Sequence, residues 1–322
     1  QVTGPRHTDK LDLLPTHLSK ESRTTALREI KAIPEFFYTN TSLPIITPDN
    51  VQQFFKLVSN QGFSMTLFSI CSGSGRLLLT MTGLPFSKCV LFPIDLRHGW
   101  DMNHKPHQQL IHLINRRYKP KHISIEPRCK HWSRAGNVRD PALTIQLRHD
   151  ENPMLRFYTE LLAETNSDGR DCLVENPVGS DIWLKSPLHT LTALTTFDDN
   201  TKHTDQCAFS PEPDGQRHKK RTKLKATFQL NKCVRNCNCR KPHIILQGYD
   251  HDAHRDRTAG AALFSRKFCF AICTDINDND NKKQTAQTKR LNKYNRRIDK
   301  PNDTFHADHT TIDNFPAEDD TP

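Results

Sequence analysis

From about Phe63 the chain alternates short apolar runs with longer stretches whose apolar residues recur every three or four positions. Phe63–Ile70, Cys89–Ile94, His122–Glu126 and Cys172–Glu175 are short runs ending in polar or turn-forming residues, the signature of buried strands. Arg76–Thr82, Pro106–Arg117, Pro153–Glu164 and Ile182–Leu194 show the helical period. Strand–helix alternation predicts an α/β fold on a doubly wound, mostly parallel sheet, and such sheets bind ligands beyond the carboxyl ends of their strands. Ala226–Phe228 is the candidate closing strand, and Thr258–Cys273 a late amphipathic helix or helix–strand piece.

Residues 1–50 lack this texture. They are polar, with one helical candidate at Glu21–Ala32 and a proline-broken stretch to Pro48, and read as an N-terminal arm or appendage. A helix over Asn50–Ser59 is expected to open a domain spanning 51–275. Residues 276–322 carry a basic run from Lys282 to Lys300 and an acidic end at Glu318, Asp319 and Asp320. With almost no apolar periodicity, they predict a disordered charged tail.

Composition narrows the partners. Hydrophobic residues are 35% of the 322, mean hydropathy is -0.71, and the net charge of +10 gives a pI near 9.1. Such a balance points to a polyanion, nucleic acid before an anionic membrane, against the blander reading of a merely soluble basic surface. No stretch approaches the roughly 20 apolar residues that span a bilayer, and the polar N-terminus is no signal peptide. Four of the ten cysteines, Cys89, Cys172, Cys269 and Cys273, sit in apolar runs as small hydrophobes. The pattern is not a secreted disulfide framework, so a reducing intracellular compartment is expected, the nucleus in a eukaryote. A start at Gln1 is expected of a processed product or a fragment.

Three strand ends carry candidate chemistry. Cys71-Ser72-Gly73-Ser74-Gly75 follows the first strand, where glycines let the backbone turn sharply and approach a ligand. Asp95 ends the next strand, where a carboxylate can accept both hydroxyls of a ribose. Glu126-Pro127-Arg128-Cys129-Lys130-His131 places a thiol beside three basic side chains that can lower its pKa. Val174-Glu175-Asn176-Pro177 offers a carboxyl group able to protonate or hydrogen-bond a ring nitrogen. Taken singly, each has an ordinary structural explanation.

Together, their order and spacing resemble the DNA cytosine-C5 methyltransferases, most closely the compact domains of phage, mobile-element and protist proteins. Those carry Glu-Asn-Pro, then Gln-Cys-x-[Tyr/Phe] and Lys-x-Thr. The counterparts here are Asp205-Gln206-Cys207-Ala208-Phe209 and Lys220-Arg221-Thr222-Lys223-Leu224. The resemblance covers about residues 63–275 and implies a class I, Rossmann-like fold that binds S-adenosylmethionine at Ser72, Gly73, Gly75, Asp95 and Pro127. It further implies a flipped cytosine, Cys129 as nucleophile at C6, Glu175 at N3 and Arg221 near the base, with Arg217 as a substitute. Thr258–Leu263 corresponds to a small-residue helix completing the cofactor pocket. Arg128 stands where the family has a second proline, and no segment is long enough for a large target-recognition region. The alternatives are a catalytically silent nucleic-acid-binding module and an RNA methyltransferase.

Two further patterns concern partners and metals. Arg217, Lys219, Lys220, Arg221, Lys223 and Lys225 form a basic strip suited to phosphate contacts, or else a solvated loop. Cys233, Cys237, Cys239 and His243 have ligand types that suit zinc, with His251 and His254 as surplus donors in a candidate cluster over 233–254.

Overall fold

A computed structural model of the chain describes residues 46–52, 65–73, 75–82, 93–133, 140–209, 217–239, 242–244, 246, 249–250, 255–256 and 264–298. Its centre is a five-stranded mixed sheet. The strands are β1 (Leu67–Ile70), β2 (His122–Ile125), β3 (Asp171–Pro177), β4 (Lys202–Asp205) and β6 (Arg221–Ala226), in spatial order β1-β2-β3-β6-β4. β1, β2 and β3 run parallel, and Ile94 adds a parallel bridge to Ile70 on the outer side of β1. β6 is reversed and lies between β3 and β4, antiparallel to both. The α/β class therefore holds, with one reversed strand. Three short strands stand outside the sheet: β5 (Arg217–His218) pairs with β7 (His243–Ile244), while β8 (Tyr249–Asp250) pairs with β9 (Arg255–Asp256).

β1 and β2 are buried along their whole length because helices cover both sheet faces. Phe68, Ile70, Ile123, Ile125 and Val174 point to one side. There they meet α2 (Lys105–Tyr118), α3 (Pro141–Ser167) and the short helices α4 (Ile182–Lys185), α5 (Leu188–Thr192) and α6 (Thr195–Asp198). Leu67, Leu173, Leu224 and Ala226 point to the other side, against α1 (Arg76–Thr82) and the start of α7 (Arg266–Ile298). Period-two alternation thus divides β1 and β3 between two cores.

Several boundaries differ from expectation. Ile46 and Val51 are buried in the first core, and Trp100 Nε1 donates to Ile46 O at 2.7 Å, so the domain reaches back before residue 50. α3 begins at Pro141, capped by Asp140 accepting from Ala142 N, and runs through Pro153. Proline interrupts the helical ladder, and Asn103 Oδ1 takes up the next amide, Met154 N, at 3.2 Å. The expected helix over 182–194 is broken into α4 and α5, with Ser186 between them, and α6 follows at Thr195. The segment expected to be disordered from 276 is helical as far as Ile298. Residues 280–298 fall in a second unit, and those at 281–292 are all exposed. The expected strand Cys89–Ile94 is described only at its end, and Glu21–Ala32 and Thr258–Leu263 lie outside the described residues. No described helix is long and apolar enough to cross a membrane.

Candidate functional site

The carboxyl ends of β1, β2 and β3 lie side by side, and each carries one of the expected motifs. After β1 the backbone turns through left-handed conformations at Cys71, Gly73 and Gly75. Glycine is needed at position 73 both for its φ of +54° and because a Cβ there would stand 3.3 Å from Arg97 Nη1. Gly73 N donates to Asp95 Oδ2 at 3.0 Å, and Asp95 Oδ1 caps the 3-10 turn Leu96–His98 by accepting from Arg97 N at 3.1 Å. The glycine turn and the carboxylate that the sequence paired at a distance are in direct contact. Ser72 Oγ is buried and has no hydrogen-bond partner among the described residues. Beneath the turn, Cys71 Sγ and Tyr158 OH are 2.7 Å apart, and burial, with the Asp95 charge, pushes the Cys71 thiol well up.

The other two motifs converge on the face of the second core. By alternation Ser69, Ser124, Glu126 and Glu175 share that face. Glu126 accepts from Ser69 Oγ at 3.2 Å and from Ser124 Oγ. Burial, reinforced by the charges of Glu175 and Asp95, raises its pKa to about 8, so it is mostly protonated at neutral pH. Glu175 is 5% exposed, and Lys220 Nζ lies 3.4 Å from its Oε1. Cys129 is half-buried. Burial raises its thiol pKa, Lys220 opposes that rise and Glu175 adds to it, so the thiol, the cation and the carboxylate form one electrostatic group.

Packing from α3 fixes the Cys129 loop. Trp132 N and Ser133 N both donate to Cys129 O, closing a tight turn. Glu151 receives Trp132 Nε1 at 2.6 Å and lies 2.9 Å from His131 Nδ1. Arg148 donates to His131 O, pairs with Asp181 at 2.8 Å and stacks over the Trp132 ring. Asn176 Nδ2 donates to Pro127 O at 2.7 Å, so the residue after Glu175 ties β3 to the thiol loop. His131 is therefore held by Glu151, and Pro127 is buried under Asn176. Glu126, Glu151 and Lys220 as a partner of Glu175 were not singled out as site residues. The period-two register of β2 was the one sequence signal for Glu126.

The basic strip divides by face. Arg221 is 58% exposed and lies 3.9 Å from Asp205, on the side of β6 opposite Glu175. It is Lys220, one residue earlier, whose ammonium group lies against Glu175. Lys220 is 13% exposed and sits over the Phe264 ring, which removes it from the solvent-facing phosphate contacts. Lys223 lies over Trp183, and burial lowers its pKa. Lys225 is buried, donating to Thr192 O at 2.7 Å and pairing with Asp198. Lys219 is exposed, and Arg217 belongs to β5.

The cysteine cluster also differs from the expected set. Cys237, Cys239 and His243 come together, but the fourth donor is Cys207, and all four ligand atoms lie within 4.8 Å of one another. Cys233 instead packs in the second core, where its amide donates to Asp275 Oδ2 at 3.0 Å and burial pushes its thiol up. Cys237, four residues beyond Cys233, lies at the end of β4, where its amide donates to Asp205 Oδ2 at 2.9 Å. His251 and His254 lie outside the described residues. No family model matches the chain, and a search of the curated proteins found no match.

Proposed function

We propose that this domain is a class I, S-adenosylmethionine-dependent methyltransferase that acts on cytosine C5 of DNA through Cys129. The observation that carries the reading is the grouping of Cys129, Glu175 and Lys220 at neighbouring strand ends. A nucleophile and a carboxyl group must converge on one ring for this chemistry, and parallel sheets bind ligands at these ends. The Cys129 thiolate adds to C6, and the C5–C6 π pair moves onto C5. Proton delivery to N3 through Glu175 would keep negative charge from building up on the ring, and after methylation at C5 the loss of the C5 proton with β-elimination of the Cys129 sulfur would break the C6–S bond and free the enzyme. Lys220 stabilises the thiolate before attack and balances Glu175.

The residues at the first strand end fit the cofactor. Ser72 Oγ is a buried hydroxyl with no hydrogen-bond partner among the described residues, a side chain at Gly73 would be strained and would crowd Arg97, and Asp95 has used two of its roughly four lone-pair positions. When bound, S-adenosylmethionine supplies an electrophilic methyl group. Asp95 would hold the ribose and the glycine turn would approach the rest of the cofactor.

A binding-only module is the second reading, favoured by the raised pKa of Cys129 and by Arg128 beside it. Trapping on DNA that contains 5-fluorocytosine, with the cofactor present, separates the two. The enzyme forms a covalent adduct that Cys129→Ser abolishes. Cofactor and DNA binding without an adduct selects the silent module. If calorimetry shows no heat with S-adenosylmethionine, the enzyme reading fails.

A further inference from the structure

We propose that Cys207, Cys237, Cys239 and His243 bind one structural zinc ion, which clamps the end of β4 to the loop over 231–239 and to β7. Zinc with Zn–S bonds of about 2.3 Å holds tetrahedral ligands about 3.8 Å apart. The four donors lie within 4.8 Å of one another, so binding requires a contraction of only about 1 Å. Cys237 Sγ and His243 Nε2 are already 3.3 Å apart. Three sulfurs and an imidazole select zinc over magnesium or calcium, which prefer oxygen. Four protein donors leave no open position, so the ion is structural and not catalytic.

The surroundings are arranged as an outer shell. Cys239 N points at Cys237 Sγ from 3.5 Å, a contact that favours thiolate over thiol. Asp205 Oδ2 accepts from Cys237 N at 2.9 Å, and Asp205 N donates to Arg235 O at 2.8 Å, so β4 and the loop are already joined at their backbones. None of the described cysteines is disulfide-bonded. A disulfide would use two of the three sulfurs and leave the third and the imidazole without a common role. Metal binding expels the thiol protons to solvent.

The clamp reaches the proposed active site from two sides. Gln206, next to Cys207, donates its amide to Lys220 O at 3.0 Å, and His243 pairs with Arg217 across β5 and β7. Both ends of residues 217–220 are thereby anchored, and this segment carries Lys220 to Glu175. Zinc would act as a positioning element for Lys220.

Metal analysis of the full chain, purified from zinc-supplemented culture, tests this without reference to methyl transfer. The wild type is expected to hold one equivalent of zinc, Cys207→Ser to lose it and a folded Cys233→Ser to keep it. Exchange for cobalt(II) is expected to give the thiolate charge-transfer and tetrahedral ligand-field bands of a three-sulfur site. That reading needs no variant, and it decides the matter if either substitution prevents folding. Zinc retained by Cys207→Ser, or lost from a folded Cys233→Ser, overturns the assignment. So does a wild type with neither zinc nor the cobalt bands, or one with a Cys207–Cys237 disulfide.

Discussion

Replacing Glu126 by Gln should remove a destabilisation that grows as pH rises. In the unfolded chain this carboxyl group titrates at its ordinary 4.5, and in the folded chain at about 8. Below the lower value both states are protonated and the cost is absent. Between the two, the folded chain retains a proton that the unfolded chain has released, so stability falls with rising pH. Above about 8 the loss is complete. The displacement sets a ceiling of about 5 kcal/mol, and relaxation with water entry brings the expected loss to about 2–5 kcal/mol. Gln is neutral throughout, and its amide can still meet Ser69 and Ser124. Urea unfolding of both proteins at about pH 5, 7 and 9 isolates the contribution, because all other titrating groups cancel in the difference. The wild type should lose stability relative to the Gln variant by the stated amount. Parallel curves for the two proteins would refute the assignment of a half-buried, protonated Glu126. Removing the neighbouring charge with Glu175→Gln should bring down the upper edge of the window, while the lower edge, set by the unfolded chain, stays in place.

Cys129 alkylation should slow in Lys220→Met and quicken in Glu175→Gln, because the Lys220 charge lowers the thiol's pKa and the Glu175 charge raises it. Mass spectrometry after timed iodoacetamide treatment reads this, and two changes of the same sign would mean that access governs the rate instead. Glu151→Ala leaves the buried Trp132 Nε1 and His131 Nδ1 without their partner and should cost about 2–4 kcal/mol by denaturant unfolding. A loss below about 1 kcal/mol would mean that α3 does not hold the Cys129 loop. Lys219→Ala should lower the salt slope of nucleic-acid binding by about 0.9, while Lys225→Ala leaves it unchanged because its ammonium group is buried against Thr192 and Asp198. Equal slopes for the two variants would count against the division of the strip by face.

Local pattern and chemistry were enough to mark out the α/β alternation. α2 was expected over Pro106–Arg117 and spans Lys105–Tyr118, and β2 was expected over His122–Glu126 and spans His122–Ile125. Both have periodicity that burial on the sheet reinforces, and Pro106 marks a helix start from sequence alone. The same local reading begins α3 at Pro153, whereas the helix starts at Pro141 and runs through that proline, where Met154 N bonds to Asn103, a side chain 51 residues away in sequence. Composition shows that residues 217–225 are basic, but a strand exposes alternate residues to opposite faces. Whether Lys220 or Arg221 meets Glu175 therefore depends on a register fixed by pairing with β3 and β4. The cysteine cluster has the same cause. Spacing grouped Cys233 with Cys237 and Cys239, whereas the reversed strand between β3 and β4 brings in Cys207 and leaves Cys233 in the core. Periodicity is a property of neighbours along the chain, and contact between distant segments exists only once the sheet is assembled.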